Sequence, residues 1–300
     1  MSNHAYPASL VSTQWVADHL ADPTVRLVEA SWDDDDYRAG HIPGAVYWSF
    51  VEELKTPAFH DAPDLAATAA LLSRSGIDAA TTVVLYGNIS NLVAAYAFWL
   101  LKYYGHADVR LVDGGRQCWL DEGRPVSTSI PVYTPTAYHI EQAVQAVRAR
   151  RDDLLHAIDD PGTVIVDLRA LEMYLGAHNA SAARGGHIPS AINVPATRET
   201  DSDGAFLRWR MPTVKGDWTF RPVEELRALF TQAGITPDKQ IITYCVLGGL
   251  SSHAWFVLTQ LLGYPDVREY DRSWVEWGNS AELPIATHVS GQAPRKHNEP

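Results

Sequence analysis

A cysteine late in the chain has the sequence setting of a nucleophile. Residues 242–258 read ITYCVLGGLSSHAWFVL, so Cys245 follows a β-branched and aromatic run and precedes a glycine pair, two serines and an apolar stretch. One interpretation is a buried thiol at a strand end, where cysteine behaves as a small hydrophobe. The other is a nucleophile on a turn between a strand and a helix.

The turn after Cys245 has the composition of an anion-binding loop. If residues 246–251 wrap around the sulfur, several backbone N–H groups and the positive end of a helix over 251–262 face it together. Such surroundings favour a thiolate over a thiol. Gly248 and Gly249 permit the turn because glycine adopts positive φ without strain. We therefore predict that Cys245 is catalytic and that the following loop binds substrate through Val246, Leu247, Gly248, Gly249, Leu250 and Ser251.

Composition limits the classes of function. The chain has 300 residues, a formal net charge of -12 and two cysteines. The acidic balance argues against nucleic acid or an anionic membrane as a partner, because both require clustered basic charge. The N-terminus lacks the pattern of a secretory signal, and no apolar run is long enough to span a bilayer. We expect a cytoplasmic protein with free thiols and no disulfide framework.

The chain contains two copies of one domain. RAGHIPGAVY at 38–47 matches RGGHIPSAIN at 184–193. A downstream block matches in the same order, pairing Tyr86, Gly105, Asp108, Asp113 and Trp119 with Tyr244, Gly263, Asp266, Asp271 and Trp277. The spacing between copies grows by about a dozen residues from the first block to the second, and we place the extra residues within 197–218.

Each copy alternates strand-like and helix-like runs, which is typical of a parallel sheet flanked by helices in an α/β fold. Strands are predicted over 26–29, 82–86, 109–111, 163–168, 240–244 and 267–270. Helices are predicted over 13–19, 65–73, 91–104, 140–157, 223–233 and 251–262. The predicted domains are 1–130 and 141–290, with a linker over 131–140 and a disordered tail over 291–300.

The duplication supplies an internal comparison for the cysteine. The alignment that pairs Tyr86 with Tyr244 also pairs Gly87 of the first copy with Cys245 of the second. The first copy therefore has the loop position without a thiol. A structural cysteine would have no reason to occur in one copy only, so the asymmetry favours catalysis. We expect the copies to pack face to face, with the site in the crevice between them.

These features together resemble the two-domain rhodanese family of sulfurtransferases. The resemblance rests on the HIPGA and HIPSA segments, the cysteine loop in the second copy and the ending YDRSWVEWGN, and it extends from about Leu10 to Pro284. It implies an inactive N-terminal domain, a catalytic C-terminal domain and no cofactor. It also implies that a donor such as thiosulfate or 3-mercaptopyruvate gives sulfur to Cys245 as a persulfide. A small acceptor such as cyanide or a thiol, or a sulfur-acceptor protein, then removes it.

The sequence departs from the family in its charges. Loops of thiosulfate-using members resemble CRKGVT, whereas Val246, Leu247 and Leu250 make this loop uncharged. A further family arginine falls at Met173. Arg169 and Arg184 are predicted to bind substrate, and the other candidates for supplying positive charge are Arg198, Arg208, Arg210 and Arg272. One hypothesis is ordinary sulfur transfer with charge from these loops, and the other is a bulkier or less charged donor or acceptor.

The same residues also allow two other interpretations of the cysteine loop. A cysteine phosphatase requires arginine where Ser251 stands, and a non-catalytic binding module would explain the unusual loop. By resemblance, an ion pair between Asp167 and Arg169 supports the loop, as do Asp271 and Trp274. His41 and His187 occur in both copies, so we assign them to packing. Cys118 is interpreted as a spectator thiol, and no residue spacing indicates a metal site.

Overall fold

Two parallel sheets, one in each copy, form the framework of the protein. The computed structural model describes residues 7–59, 61–180, 182–200, 202–203 and 206–287. The first copy contains strands β1 (Leu10–Val11), β2 (Val25–Ser31), β3 (Val46–Ser49), β4 (Thr82–Tyr86) and β5 (Val109–Val112). They form a parallel sheet of order β1-β5-β4-β2-β3. Its helices are α1 (Thr13–Asp18), α2 (Asp35–Ala39), α3 (Leu65–Arg74), α4 (Leu92–Tyr103) and α5 (Gly115–Asp121).

The second copy repeats this plan and adds a hairpin. Its strands are β6 (Thr163–Asp167), β7 (Ile192–Asn193), β8 (Thr197–Thr200), β9 (Phe206–Arg210), β10 (Gln240–Tyr244) and β11 (Val267–Glu269). The parallel sheet has the order β11-β10-β6-β7, whereas β8 and β9 pair with each other in antiparallel fashion. Its helices are α6 (Arg151–Ala157), α7 (Leu171–Tyr174), α8 (Val223–Gln232), α9 (Gly249–Phe256) and α10 (Ser273–Trp277). The hairpin lies within residues 197–218, where the extra residues were predicted.

The predicted α/β class and every predicted strand are observed, with small differences at strand ends. The helix predicted over 251–262 begins earlier, at Gly249, and its second half is a π-helical segment over Val257–Leu261. A short wide turn of this kind inside a helix often occurs at functional sites.

One predicted helix is wrong over most of its length. Residues 140–157 contain a single 3-10 turn at Gln145–Val147, and helix begins only at Arg151. Residues on either side of this turn donate their backbone N–H groups to other elements, not to a helix of their own. Val144 donates its N–H to Tyr103 O of α4, and Ala149 donates to Glu269 O of β11. The segment therefore connects α4 of the first copy to β11 of the second.

The two copies share one apolar core through α4 and α9. Nearly every residue of both helices is buried, which explains why α4 is apolar on almost all sides and why α9 has no charged residue among Asp, Glu, Lys and Arg. Phe98 of α4 meets Phe256 of α9 edge to face, with ring centroids 4.9 Å apart. The strands β4 and β10 lie next to these helices in sequence, so the carboxyl ends of the two central strands are held on either side of one interface.

No helix among the described residues is long and apolar enough to cross a membrane. The predicted tail over 291–300 lies outside the described residues.

An ion cluster joins the copies next to this core. Asp61 of the first copy accepts hydrogen bonds from Arg148 and Arg272 of the second. Burial alone would raise the pKa of Asp61, but the hydrogen bonds from these arginines outweigh burial and lower the pKa to about 2. A lowered folded pKa means that the cluster stabilises the fold above the unfolded value of about 3.9 and that this contribution is lost as pH falls towards 2.

We therefore expect Asp61→Asn to lower the free energy of unfolding by about 1–2 kcal/mol at pH 7, with the deficit shrinking below pH 4. Urea unfolding of both proteins across this range measures the difference. Glu141→Gln, at an exposed carboxylate, is the matched control and should leave stability unchanged. Equal stabilities of Asp61→Asn and the unmodified protein at pH 7 would contradict the role of the cluster.

Candidate active site

Cys245 lies directly after β10, where the predicted turn leads into α9. Gly248 donates its backbone N–H to Cys245 Sγ at 3.2 Å, and Ser251 Oγ lies 3.5 Å from the same sulfur. The sequence predicted several amides around the sulfur. Among the described residues, the Gly248 amide is the backbone group that hydrogen-bonds it, so the sulfur is held by one amide and one hydroxyl. Cys245 is 2% exposed, and that small exposed fraction faces a cavity.

Helix α10 fixes the backbone on both sides of the thiol. Cys245 donates its own N–H to Ser273 Oγ at 3.0 Å, while Trp274 donates its N–H to Cys245 O at 3.1 Å. Val275 then donates to Val246 O. Three consecutive residues of α10 thus fix the backbone of Cys245 and Val246. Ser273 was not predicted as part of the site, although its neighbour Trp274 was.

Gly248 is required by packing as well as by backbone conformation. Its φ is +103°, and a Cβ added there would lie 2.9 Å from Tyr96 Cε2 and 3.2 Å from Asp271 O. Tyr96 belongs to α4, so the first copy presses directly on the active loop. Gly249 differs, because it has no left-handed φ and a Cβ there would meet nothing closer than 3.9 Å.

The cavity above Cys245 lies between the copies and has a volume of about 420 Å³. The described residues that line it from the first copy are Trp32, Asp33, Phe50, Asn88, Ile89, Leu92 and Val93. Those from the second copy are Arg169, Met173, Trp209, Cys245, Val246, Leu247, Gly249 and Leu250. The expected crevice is present, and its walls are mainly aromatic and aliphatic. Trp209 comes from the hairpin, which thereby forms one wall.

Arg169 is the one cation among the described residues that line the cavity. Its Nη2 lies 2.5 Å from Asp167 Oδ2, and its guanidinium carbon is 4.0 Å from the centroid of a Trp274 ring. Arg169 Nη1 is buried without a hydrogen-bond partner. Nη1 is therefore the part of the guanidinium that the ion pair with Asp167 leaves unpaired among the described residues. Trp274 is fully buried, and its ring packs against the Arg169 guanidinium.

The other predicted arginines lie elsewhere. Arg184 donates to the backbone oxygens of Leu283, Trp277 and Ser280, so it closes the C-terminal segment and does not line the cavity. Arg208 and Arg210 both pair with Glu199 within the hairpin. The candidates Arg198 and Arg272 are also absent from the described cavity lining. Arg198 lines a neighbouring pocket that shares Met173 and Trp209 with the cavity.

A buried polar cluster lies beneath the loop, and sequence reasoning predicted only one of its members, Asp271. Asp271 accepts from Arg148 Nε at 2.7 Å, and Lys55 Nζ lies 3.6 Å from its carboxylate. Next to it, Glu269 is fully buried, and burial raises its pKa to about 8. A glutamate within the short strand β11 was the signal for Glu269, whereas Lys55 and Arg148 come from remote segments and gave no local signal.

The predicted structural residues have packing roles. His41 stacks on Tyr37 and His187 on Tyr174 in the same way in the two copies, with ring centroids 3.9 and 3.6 Å apart. Burial raises the pKa of Cys118 to about 12, so this thiol stays protonated near neutral pH. Within the described part of the chain, no group of three or more His, Cys, Asp or Glu side chains could hold a metal ion.

The chain belongs to the rhodanese family: the model of the rhodanese-like domain matches residues 12–122 and 150–280. It is 44% identical to the sulfur carrier protein TtuD of Thermus thermophilus over 94% of this chain and 98% of that protein. It is 40% identical to the candidate thiosulfate sulfurtransferase SseA of Mycobacterium bovis over 98% and 95% of the respective chains.

Solved structures show the same likeness. An anaerobic ergothioneine biosynthesis enzyme of Chlorobium limicola, in complex with trimethyl histidine, matches with a TM-score of 0.85 and 26% identity. The match covers 96% of this chain and 72% of that one. A second structure, of EanB with a cysteine persulfide and ergothioneine, matches with a TM-score of 0.86 and 26% identity over 96% and 73% of the chains. The protein is thus a rhodanese-family sulfurtransferase homologue.

The loop geometry predicts opposite outcomes for two adjacent glycines. Gly248→Ala should lower stability by about 1–3 kcal/mol and slow reaction of Cys245 with iodoacetamide, because the added carbon forces the loop away from Tyr96. Gly249→Ala should change both much less, since its Cβ has room. Urea unfolding and alkylation rates measure the two effects. Equal behaviour of the two variants would refute the packing constraint.

Proposed function

We propose that this protein transfers sulfane sulfur through a persulfide on Cys245. The observation that carries the proposal is the position of Cys245 Sγ, which lies at the base of the cavity between the copies and receives a backbone N–H from Gly248. The sulfurtransferase names of relatives and the cysteine persulfide in one similar structure support it. Phosphatase chemistry is disfavoured, because Ser251 replaces the required arginine and is itself buried against the sulfur.

The chemistry follows from a nucleophilic sulfur. The thiolate of Cys245 attacks the outer sulfur of the donor, a new S–S bond forms, and the bond between that sulfur and the remainder of the donor breaks. A thiol, cyanide or sulfur-acceptor protein then attacks the outer persulfide sulfur, and Cys245 leaves as the thiolate. The Gly248 amide and the Ser251 hydroxyl stabilise negative charge on Sγ whenever it is a thiolate. No metal or organic cofactor is required for either step.

The cavity favours donors and acceptors with little negative charge. Thiosulfate carries two negative charges, whereas the lining offers one cation, Arg169, whose charge Asp167 largely offsets. Asp33 adds a negative group to the same lining. A single carboxylate, as in 3-mercaptopyruvate, matches the free Nη1 of Arg169. We therefore propose 3-mercaptopyruvate or an organic persulfide as the donor class in preference to thiosulfate.

Persulfide formation is tested by mass spectrometry of the intact protein. After incubation with donor, we expect a mass gain of one sulfur atom, located on the peptide that contains Cys245, which Cys245→Ser abolishes. Cys118→Ser is the matched control and should retain the gain, because Cys118 does not line the cavity. Absence of any gain with thiosulfate, 3-mercaptopyruvate and an organic persulfide would leave the non-catalytic binding module as the better account.

Donor preference is tested by steady-state kinetics. We expect kcat/KM for 3-mercaptopyruvate to exceed that for thiosulfate by about tenfold or more, since a missing charge partner in a partly desolvated site costs about 1.5–3 kcal/mol. Val246→Arg adds a cation to the cavity wall and should raise kcat/KM selectively for thiosulfate. Val246→Gln controls for size. A high kcat/KM for thiosulfate in the unmodified protein would contradict the donor assignment.

A further inference from the structure

A chain of polar groups leads from the Cys245 sulfur into the protein interior. Ser251 Oγ lies 3.5 Å from Cys245 Sγ and 3.0 Å from Glu269 Oε1. Ser252 Oγ lies 2.5 Å from the other carboxyl oxygen, Glu269 Oε2. Ser251, Ser252 and Glu269 are fully buried. The sulfur is therefore connected through one hydroxyl to a carboxyl group that has no contact with bulk water.

The surroundings of Glu269 determine how it titrates. Burial raises its pKa and the carboxylate of Asp271 raises it further, whereas Lys55 and the hydroxyls of Ser251 and Ser252 lower it, and the result is about 8. The other polar groups nearby are Arg148, which pairs with Asp271, and the Tyr96 hydroxyl of α4. The carboxyl group can therefore take up and release a proton near pH 8, and Ser251 Oγ lies within hydrogen-bond distance to carry it.

The first copy lacks every member of this chain. In the register that pairs Gly87 with Cys245, Val93 stands for Ser251, Ala94 for Ser252 and Leu111 for Glu269. The sheets support this register, because Leu85 pairs with Leu111 as Thr243 pairs with Glu269. Leu111 is buried in the apolar core, so the fold does not need a carboxylate there. At these three positions, hydroxyl and carboxyl groups occur only in the copy that contains Cys245.

We propose that Ser251 and Glu269 accept the proton of the Cys245 thiol and return it at the end of sulfur transfer. This inference rests on the proposed function. Ser251 contacts the reacting atom and is a catalytic residue, whereas Glu269 acts through Ser251 and is a positioning residue that stores the proton. Ser252 holds the second carboxyl oxygen and so fixes the orientation of Glu269.

The proton and the electrons balance at each step. As the thiol ionises, its proton passes to Ser251 Oγ while the Ser251 hydroxyl proton passes to Glu269 Oε1, which leaves a thiolate and a neutral carboxyl group. The Sγ electron pair then forms the bond to the donor's outer sulfur, and the pair of the broken bond leaves with the donor remainder. When the acceptor takes the sulfur, the S–S electron pair returns to Sγ and the proton returns by the same route.

Glu269 also decides where the Ser251 hydroxyl points. Ser251 Oγ lies 3.0 Å from Gly248 O as well, so its single proton has three possible acceptors: Gly248 O, Glu269 Oε1 and Cys245 Sγ. A charged Glu269 attracts this proton to itself. A neutral Glu269 donates its own proton to Ser251 Oγ and releases the hydroxyl to donate to the thiolate. The protonated carboxyl group therefore stabilises the thiolate.

The test is the pH dependence of iodoacetamide alkylation at Cys245, followed on its peptide by mass spectrometry. Because two coupled groups lose protons in two macroscopic steps, the unmodified protein should show two inflections, one of them near pH 8. Glu269→Gln should show one inflection, since the amide cannot exchange a proton in this range. Ser251→Ala should lower the rate at pH 7 about tenfold, because a hydrogen bond to a charged group is lost.

Glu269→Leu is the matched control, since it copies Leu111 of the first copy. Its alkylation rate at pH 7 should fall about as much as that of Ser251→Ala. The rate of Glu269→Gln should stay closer to that of the unmodified protein, because its amide still donates to Ser251. Urea unfolding identifies any variant that fails to fold. If Glu269→Leu fails, the comparison of the Glu269→Gln pH profile with that of the unmodified protein decides the question. One shared inflection in the unmodified protein and Glu269→Gln would overturn the proposal. The alkylation assay uses no sulfur donor. If alkylation shows two inflections but the separate donor experiment yields no persulfide, only the proposed function is contradicted.

Discussion

The proposed reaction depends on stabilising the Cys245 sulfur in a site closed to bulk water, with no charged side chain in the loop that follows it. The Gly248 amide and the Ser251 hydroxyl provide the two hydrogen-bond donors to Cys245 Sγ. Each must be fixed in place, because a hydrogen bond to a buried charge has value only where the donor is preorganised. Helix α10 holds the loop from below through Ser273, and the left-handed conformation of Gly248 lets α4 press on it from above.

The first copy, which has Gly87 in place of Cys245, forms half of the cavity wall. It contributes Trp32 and Phe50 to the cavity, Tyr96 to the packing of the loop and Lys55 to the cluster beneath it. Duplication therefore separates two roles that a single domain would have to combine. One copy carries the proposed nucleophile, Cys245, at the end of β10, and the other covers it. Since α4 and α9 belong to one core, both walls of the cavity are packed on the same apolar cluster.

Local sequence patterns predict the parts of this account that local chemistry controls. The repeat, the strands and the Cys245 turn follow from patterns within a few residues, and the crevice follows from the duplication. The helix predicted over 140–157 failed because Val144 and Ala149 hydrogen-bond across the domain boundary, which periodicity cannot detect. The role predicted for Arg184 has no support in the structure for a similar reason: its partners are backbone oxygens far along the chain. Trp209 could not be placed because a hairpin within the inserted residues delivers it.

The central claim is that the sulfur in transit is bound to Cys245 at the interface of the two copies. A crystal structure of donor-treated protein tests it most directly, with anomalous scattering to locate sulfur. The account predicts a second sulfur atom about 2.05 Å from Cys245 Sγ, projecting into the cavity between Trp32 and the loop. An unmodified Cys245 in crystals that have taken up sulfur elsewhere, for example at Cys118, would contradict it.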